Sequence, residues 1–256
     1  MQTINNTILI TGGTSGIGLA LAAQLMACGN TVLITGRSEE RLAQARLALP
    51  GVHTFVCDQS DPEAIVHVCN AATAQFPSLN VLINNAGIGL KRNLNDTTAP
   101  LTDLEQEIRT NLIGPMQIIQ QLLPQLKRQK YAVIVNVTSG LAFVPMPLKP
   151  IYCATKAGMH SYTQSLRVQL KHTSVKVIEL APPATATPFN KGQESMNPKR
   201  LMSVDQVARD AIRGLEKGND EVLPGLSRVI RLIGRLNPRA TLRTADAERM
   251  SSEAAR

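Results

Sequence analysis

The strongest constraint on the fold is a regular alternation of short apolar runs with helix-length amphipathic segments. The apolar runs carry Val, Ile and Leu at consecutive positions, which is typical of strands buried on both faces of a parallel sheet. This order predicts one α/β domain with a doubly wound parallel sheet and helices on both of its faces. We predict strands at 7–11, 30–36, 52–58, 79–87, 131–139 and 175–183, and helices at 17–29, 38–49, 61–76, 102–129 and 151–172.

A glycine-rich turn, TGGTSGIG, joins the first predicted strand to the first predicted helix. Gly12 would allow a sharp turn, Gly16 would let the backbone approach a pyrophosphate, and Gly18 would let the helix pack closely. The free N–H groups and the positive dipole end of that helix would face the phosphates. An ordinary strand-to-helix connection is the alternative for this turn taken alone. We predict a Rossmann-type dinucleotide site with contacts from Gly12, Thr14, Ser15, Gly16, Ile17 and Gly18.

The residues after the second predicted strand indicate which dinucleotide the turn would hold. An acid at this point would bond the ribose 2′-hydroxyl of NAD(H) and repel a 2′-phosphate. This chain has Gly36 followed by Arg37, and a guanidinium can bind phosphate through two hydrogen bonds. The sequence therefore favours NADP(H) over NAD(H). The alternative is that Arg37 pairs with Glu39 or Glu40 at the surface.

Asp58 ends the third predicted strand and has two possible roles. Its carboxylate could accept a hydrogen bond from the adenine amino group of a bound dinucleotide. It could instead cap the turn that follows the strand.

Tyr152 and Lys156 lie four residues apart on a predicted helix, with Ser139 thirteen residues upstream of the tyrosine. This spacing places the tyrosine and the lysine on one helix face. A free tyrosine has a pKa of about 10, and we expect a neighbouring ammonium to lower that pKa so that the phenol can exchange protons. Ser139 could hold a substrate oxygen. Taken singly, the three residues could be a packed tyrosine, a solvated charge and a turn cap.

These motifs together resemble the short-chain dehydrogenase/reductase family over residues 7–190, and most closely its DltE-like oxidoreductases. TGGTSGIG is similar to the family's TGxxxGxG, and NNAG at 84–87 is similar to its NNAG, which supports the sheet and the adenine side of the cofactor. The resemblance implies a catalytic tetrad of Asn111, Ser139, Tyr152 and Lys156. Asn111 would bend its helix and hold a water of a proton relay, and Lys156 would also bond the nicotinamide ribose. Further cofactor contacts are implied for Asn85, Ala86, Gly87, Pro182 and Thr187.

The family pattern is broken after the sixth strand, where Pro182 is followed by Pro183 instead of the usual glycine. The substitution removes a flexible backbone position and an N–H group. The mainly apolar residues near the catalytic set suggest a hydrophobic substrate, although they could be ordinary loop and core residues. The candidates for the substrate pocket are Leu141, Phe143, Pro145, Met146, Phe189 and Met196.

The predicted activity is an NADP(H)-dependent interconversion of a hydrophobic ketone or aldehyde and its alcohol. Hydride transfer to carbon would be coupled to proton transfer at oxygen through Tyr152. The alternative is a regulator that binds NADPH and has little turnover.

Charge and composition set the remaining expectations. The net charge of +8 suggests anionic partners, but 3% aromatic content and the lack of a recognised motif argue against nucleic acid. A domain of residues 1–225 would be followed, at 226–256, by a basic amphipathic helix and a polar tail. Residues 226–243 could contact a membrane surface, dock in a subunit interface or bury their apolar stripe on their own domain. We expect a cytoplasmic protein without a signal peptide, with reduced cysteines and no metal site. The family resemblance implies a homodimer or homotetramer.

Overall fold

A seven-stranded parallel sheet forms the centre of the computed structural model, which describes residues 4–95, 100–190, 201–237 and Leu242. The strand order is β3-β2-β1-β4-β5-β6-β7. The chain therefore winds outward in one direction from β1 and then crosses over to β4, which creates a switch point between these two strands. The strands are β1 (Thr7–Ile10), β2 (Thr31–Gly36), β3 (His53–Val56), β4 (Leu79–Asn84), β5 (Ala132–Val137), β6 (Val175–Leu180) and β7 (Glu221–Val222).

Helices cover both faces of the sheet. Ile8 and Ile10 of β1 belong to one hydrophobic cluster with residues of α1, α2 and α7, whereas Leu9 belongs to a second cluster with residues of α3, α5 and α6. Successive strand residues point to opposite faces, so both faces of β1 are buried. The helices are α1 (Gly16–Ala27), α2 (Glu39–Ala48), α3 (Pro62–Gln75), α4 (Leu101–Ile108), α5 (Gly114–Arg128), α6 (Pro150–Gln169), α7 (Val204–Glu216) and α8 (Ser227–Leu236). The predicted doubly wound α/β fold is confirmed.

Several predicted strands are longer than the observed ones. β4 ends at Asn84 and β6 ends at Leu180, so the residues 85–87 and 181–183 are loops at the carboxyl edge of the sheet. β7 was not predicted, because a two-residue strand shows no period that a sequence could reveal.

The local signals at the helix ends are confirmed. Ser38 accepts a hydrogen bond from the N–H of Arg41, and Pro62 occupies the start of α3. Gly29, just beyond α1, has a φ of 81°, a left-handed conformation that ends helices and favours glycine.

The predicted helix at 102–129 is continuous but contains one wide turn. A π-helical segment, Arg109–Ile113, joins α4 to α5. Asn111 lies in this segment and is 1% exposed. Such π turns re-aim a side chain within a helix and are frequent at functional sites.

The last described helix, α8, covers only part of the predicted basic helix at 226–243, since 238–241 and 243–256 lie outside the described residues. Its one face packs on the turn after β5, where a Cβ on Gly234 would lie 2.6 Å from the carbonyl oxygen of Phe143. Its other face leaves Leu232 and Leu236 exposed. Within the described ranges, no helix has the length and apolarity needed to cross a membrane.

Candidate active site

The glycine turn has a backbone that requires glycine. Gly12 has a φ of 65° and Gly16 has a φ of 57°, in the left-handed region that side chains disfavour. A Cβ on Gly12 would lie 2.8 Å from the Cα of Ala86, and one on Gly18 would lie 2.4 Å from the carbonyl oxygen of Gly12. Gly18 therefore serves close packing against the turn itself and against Asn85.

The start of α1 offers N–H groups to a ligand. Ser15 is the N-cap residue, but its side chain accepts no hydrogen bond from the helix, and the first turn contains no acid. The first N–H groups of a helix have no partner within it and attract anions. This helix end lines the cavity described below through Ser15, Gly16 and Ile17.

The NNAG segment braces the glycine turn. The Thr11 hydroxyl accepts hydrogen bonds from the N–H groups of Asn85 at 3.1 Å and Ala86 at 3.0 Å. The Asn85 side-chain amide donates to the carbonyl oxygens of Thr11 at 2.9 Å and Gly12 at 3.1 Å. Because the amide is used in this way, Asn85 stabilises the glycine turn.

Arg37 is exposed at the carboxyl end of β2 and lines the cavity. Glu39, its proposed surface partner, instead pairs with Arg46 at 2.7 Å. Across the described residues, Arg37 has no carboxylate within 4.0 Å. The guanidinium is therefore available to a ligand.

Asp58 performs the capping role and also lines the cavity. Its Oδ1 accepts hydrogen bonds from the N–H of Ser60 at 2.9 Å and from the Ser60 hydroxyl at 2.7 Å. Contact with an adenine amino group remains a prediction for this carboxylate.

Ser139 and Tyr152 meet at the carboxyl end of β5. Tyr152, on α6, is 9% exposed. Ser139 caps the short 3₁₀ turn after β5 by accepting a hydrogen bond from the N–H of Leu141 at 3.1 Å. Burial raises the pKa of the Tyr152 phenol well above its ordinary value, while a hydrogen bond with the Ser139 side chain acts in the opposite direction. The phenol therefore holds its proton at neutral pH.

Lys156 is buried one helical turn after Tyr152. Its Nζ donates a hydrogen bond to the carbonyl oxygen of Val137 at 2.9 Å and lies 5.7 Å from the centre of the Tyr152 ring. Burial lowers the pKa of the ammonium to about 8. The predicted same-face arrangement is confirmed.

The net shift in the pKa of Tyr152 is upward, opposite to the direction that the sequence analysis predicted. The desolvation of the phenol outweighs any other influence on its pKa. Sequence spacing gives the direction of a side chain but not the loss of water around it.

Asn111 lies behind the lysine and anchors the strand-end loop. Its Oδ1 accepts a hydrogen bond from the N–H of Ile88 at 2.9 Å, and its Nδ2 donates to the Ile88 carbonyl oxygen at 2.7 Å and to the Thr155 hydroxyl at 3.2 Å. These bonds use both amide hydrogens of the side chain, and a water relay through Asn111 remains a prediction.

The segment Pro182-Pro183 retains a backbone hydrogen bond to the turn after β5. The carbonyl oxygen of Pro182 accepts a hydrogen bond from the N–H of Gly140 at 2.9 Å. The carbonyl oxygen of Pro183 accepts one from the Thr185 hydroxyl at 2.8 Å. Pro183 therefore fits the turn without breaking the wall of the cavity.

One cavity of about 1010 Å³ unites these segments. Asn111 and Gly18 lie behind its wall. Fifteen of the predicted catalytic and cofactor-binding residues line it: Gly12, Thr14, Ser15, Gly16, Ile17, Arg37, Asp58, Asn85, Ala86, Gly87, Ser139, Tyr152, Lys156, Pro182 and Thr187.

The substrate end contains residues that were predicted and residues that were missed. Leu141, Met146 and Phe189 line the cavity, whereas Phe143 and Pro145 do not, and Met196 lies outside the described residues. Sequence analysis missed the wall residues Lys149, Leu226 and Ile230. The position of Lys149, three residues before Tyr152, could have indicated a shared helix face.

The cavity fits a nicotinamide dinucleotide. Gly16 and Thr187 both line the cavity, and a Cβ on Gly16 would lie 3.1 Å from the Cγ2 of Thr187, so the glycine keeps the space between them open. Anion-binding N–H groups and Arg37 lie at one end, and Tyr152 with Lys156 lies at the other. Among the described residues, no group of three or more His, Cys, Asp or Glu side chains could hold a metal ion.

Comparison with known proteins agrees with this geometry. Residues 6–198 match the family model described as short chain dehydrogenase. The uncharacterized oxidoreductase DltE of Bacillus subtilis (strain 168) is 43% identical over 226 residues, which cover 87% of this chain and 89% of the relative.

Two solved structures share the fold. A short chain dehydrogenase from Burkholderia cenocepacia J2315 in complex with NADP has a TM-score of 0.82 and 25% identity, covering 94% of this chain and 97% of that one. A short chain dehydrogenase/reductase from Burkholderia phymatum in complex with NAD has a TM-score of 0.80 and 22% identity, covering 91% and 94%. The family-model match over most of its length and the 43% identical relative show that this chain belongs to the short-chain dehydrogenase/reductase family and, within it, to the DltE-like branch.

Proposed function

We propose that this oxidoreductase interconverts a carbonyl compound and its alcohol with NADP(H). The observation that carries the proposal is the single cavity that joins the anion-binding end of α1 to the buried pair of Tyr152 and Lys156. The oxidoreductase relative favours an enzyme over a regulator.

The protein groups supply the proton and hold the reactants. The bound nicotinamide would supply or accept the hydride. In the direction of reduction, Tyr152 gives its proton to the substrate oxygen, and its raised pKa keeps that proton in place until then. Ser139 donates a hydrogen bond to the same oxygen, and the positive charge of Lys156 stabilises the phenolate that is left.

The preference for NADP(H) rests on Arg37. The structural relatives include an NADP complex and an NAD complex, so the fold itself permits either cofactor. The exposed guanidinium at the end of β2, without a carboxylate partner within the described part of the chain, supports recognition of a 2′-phosphate.

A carbonyl panel with both cofactors tests the proposal. We expect NADPH-dependent reduction of one or more aldehydes or ketones, with a higher kcat/KM for NADPH than for NADH. Arg37→Glu should lower kcat/KM for NADPH by about 10- to 100-fold, the range of a lost charge-assisted contact, and leave the value for NADH nearly unchanged. Arg209→Glu makes the same charge change on the exposed side of α7, away from the cavity, and is the control. No turnover with any substrate would contradict the proposal, and equal losses for both cofactors would remove Arg37 from its role.

Membrane or subunit contact through residues 226–243 is a second, separate proposal. The exposed Leu232 and Leu236 on α8 support it. Flotation with anionic vesicles and the mass in solution would distinguish the two partners. Recovery of a monomer that does not float would contradict both.

A further inference from the structure

Lys149 is a buried cation at the substrate end of the cavity that the hydride and proton chemistry does not use. It is the last residue before α6 and is 3% exposed. Its Nζ lies 4.4 Å from the centre of the Phe189 ring and 5.8 Å from the centre of the Tyr152 ring. The charge therefore lies beside the tyrosine that exchanges the proton.

The surroundings compensate this charge only in part. No carboxylate oxygen in the described parts of the chain lies within 4.0 Å of Nζ. Burial lowers the pKa of Lys149 to about 8, and the more distant carboxyl of Glu107 opposes that shift. Glu107 is itself 1% exposed, and its Oε1 accepts a hydrogen bond from the N–H of Leu90 at 3.4 Å.

Burying an ammonium group costs free energy unless a partner group compensates for the lost hydration. The two aromatic rings attract the ammonium group, but this attraction is smaller than the loss of hydration. An apolar residue could fill the same space at lower cost. The presence of a lysine at this buried position points to a ligand that carries the opposite charge.

The neighbours of Lys149 place that ligand on the substrate side. Its ring contacts are Phe189 and Tyr152, and its electrostatic partners are Glu107, Lys91 and Cys153. None of them belongs to the glycine turn or to the end of β2. An anion at Lys149 is therefore a different group from the phosphates of the dinucleotide.

We propose that Lys149 binds a carboxylate of the substrate, so that the natural substrate is a short aldehyde or ketone acid whose anionic end lies a few atoms from the carbonyl. The inference rests on the proposed reductase function. The apolar part of this substrate would lie along Leu141, Met146 and Phe189, which line the same end of the cavity.

The test compares two aldehydes of similar length, succinate semialdehyde and butanal, with NADPH. We expect the wild type to have the higher kcat/KM for succinate semialdehyde. Lys149→Met should lower the ratio of the two kcat/KM values at least about 10-fold, as expected for a hydrogen bond to a charged group, and Lys149→Arg should retain most of it. Lys171→Met removes the same charge from an exposed position beyond the end of α6 and should leave the ratio within about 2-fold. An unchanged ratio in Lys149→Met would overturn the inference.

A binding measurement on the wild type keeps the inference separate from turnover and from the folding of variants. Calorimetric titration of the NADP⁺-saturated protein should show tighter binding of butanoate than of butanol. Equal or weaker binding of butanoate would overturn the carboxylate site. If no compound of the carbonyl panel is reduced but butanoate binds more tightly, the proposed reductase function fails and the anion site stands.

Discussion

The two ends of the cavity are built in different ways. The proposed cofactor end uses one continuous segment, Gly12–Ile17, which includes the start of α1, and loops after β2 and β4. The proposed reacting end uses side chains from the turn after β5, from α6 and the residue before it, and from α8, which are far apart in the sequence. Two of these side chains, Lys149 and Lys156, are buried ammonium groups. Binding a phosphate needs a shaped backbone, whereas moving a proton needs charged side chains whose pKa values are shifted.

Gly12→Ala tests whether backbone shape determines binding at the cofactor end. Its Cβ would overlap Ala86 at 2.8 Å, and its φ of 65° disfavours a side chain. We expect the Kd for NADPH to rise at least about 100-fold, which corresponds to about 2.8 kcal/mol. Fluorescence titration of the nicotinamide measures this, with little background because the chain has no tryptophan.

Gly29→Ala is the matched control for that substitution. Gly29 has a φ of 81°, but a Cβ there would meet nothing within 4 Å. It should lower the free energy of unfolding by about 1–2 kcal/mol and leave the Kd for NADPH unchanged. Equal effects of the two variants on Kd would show that the turn acts through stability alone.

Lys149→Met tests whether the reacting end keeps a charge that destabilises the fold. The pKa of Lys149 is about 8 in the folded protein against an ordinary 10.5. Below pH 8 the residue is charged in both states and burial disfavours the folded one. Between these two values the unfolded chain binds more protons, so the stability of the wild type rises with pH.

Lys149→Met should therefore raise the free energy of unfolding at pH 7 by about 1–3 kcal/mol. The gain should shrink as the pH rises through 8 and should be lost above 10.5, the ordinary pKa of lysine. Urea unfolding across this range measures it, with Lys171→Met as the exposed control. A loss of stability at pH 7, or a gain that is independent of pH, would show that Lys149 is structurally compensated.

The same contrast explains what could be predicted from the sequence. The glycine turn and the strands around it were predictable because their residues are adjacent and their roles follow from backbone shape. Tyr152, Lys156 and Ser139 were found because their spacing is fixed by one helix and one strand end. Their environment was not predictable, and burial reversed the expected pKa shift of Tyr152.

Long-range assembly accounts for the residues that were missed. Glu107 lies on α4 and Lys149 immediately precedes α6, so the two acquire a common environment only when α4 packs against α6. Leu226 and Ile230 reach the cavity because α8 folds back onto the turn after β5. Neither of these contacts between distant elements leaves a local pattern in the sequence, although the spacing of Lys149 and Tyr152 does.

The central claim is that one end of the cavity determines the affinity for the cofactor, that the other end carries out the proton transfer, and that the two act independently. A double-mutant cycle of Arg37→Glu and Tyr152→Phe tests it, with the Kd for NADPH and kcat measured on every variant. Tyr152→Phe should lower kcat by about 10²- to 10⁴-fold and leave Kd nearly unchanged, whereas Arg37→Glu should raise Kd. The free-energy effects should add to within about 0.5 kcal/mol in the double variant. A Tyr152→Phe enzyme that retains turnover, or a coupling well above that limit, would contradict the account.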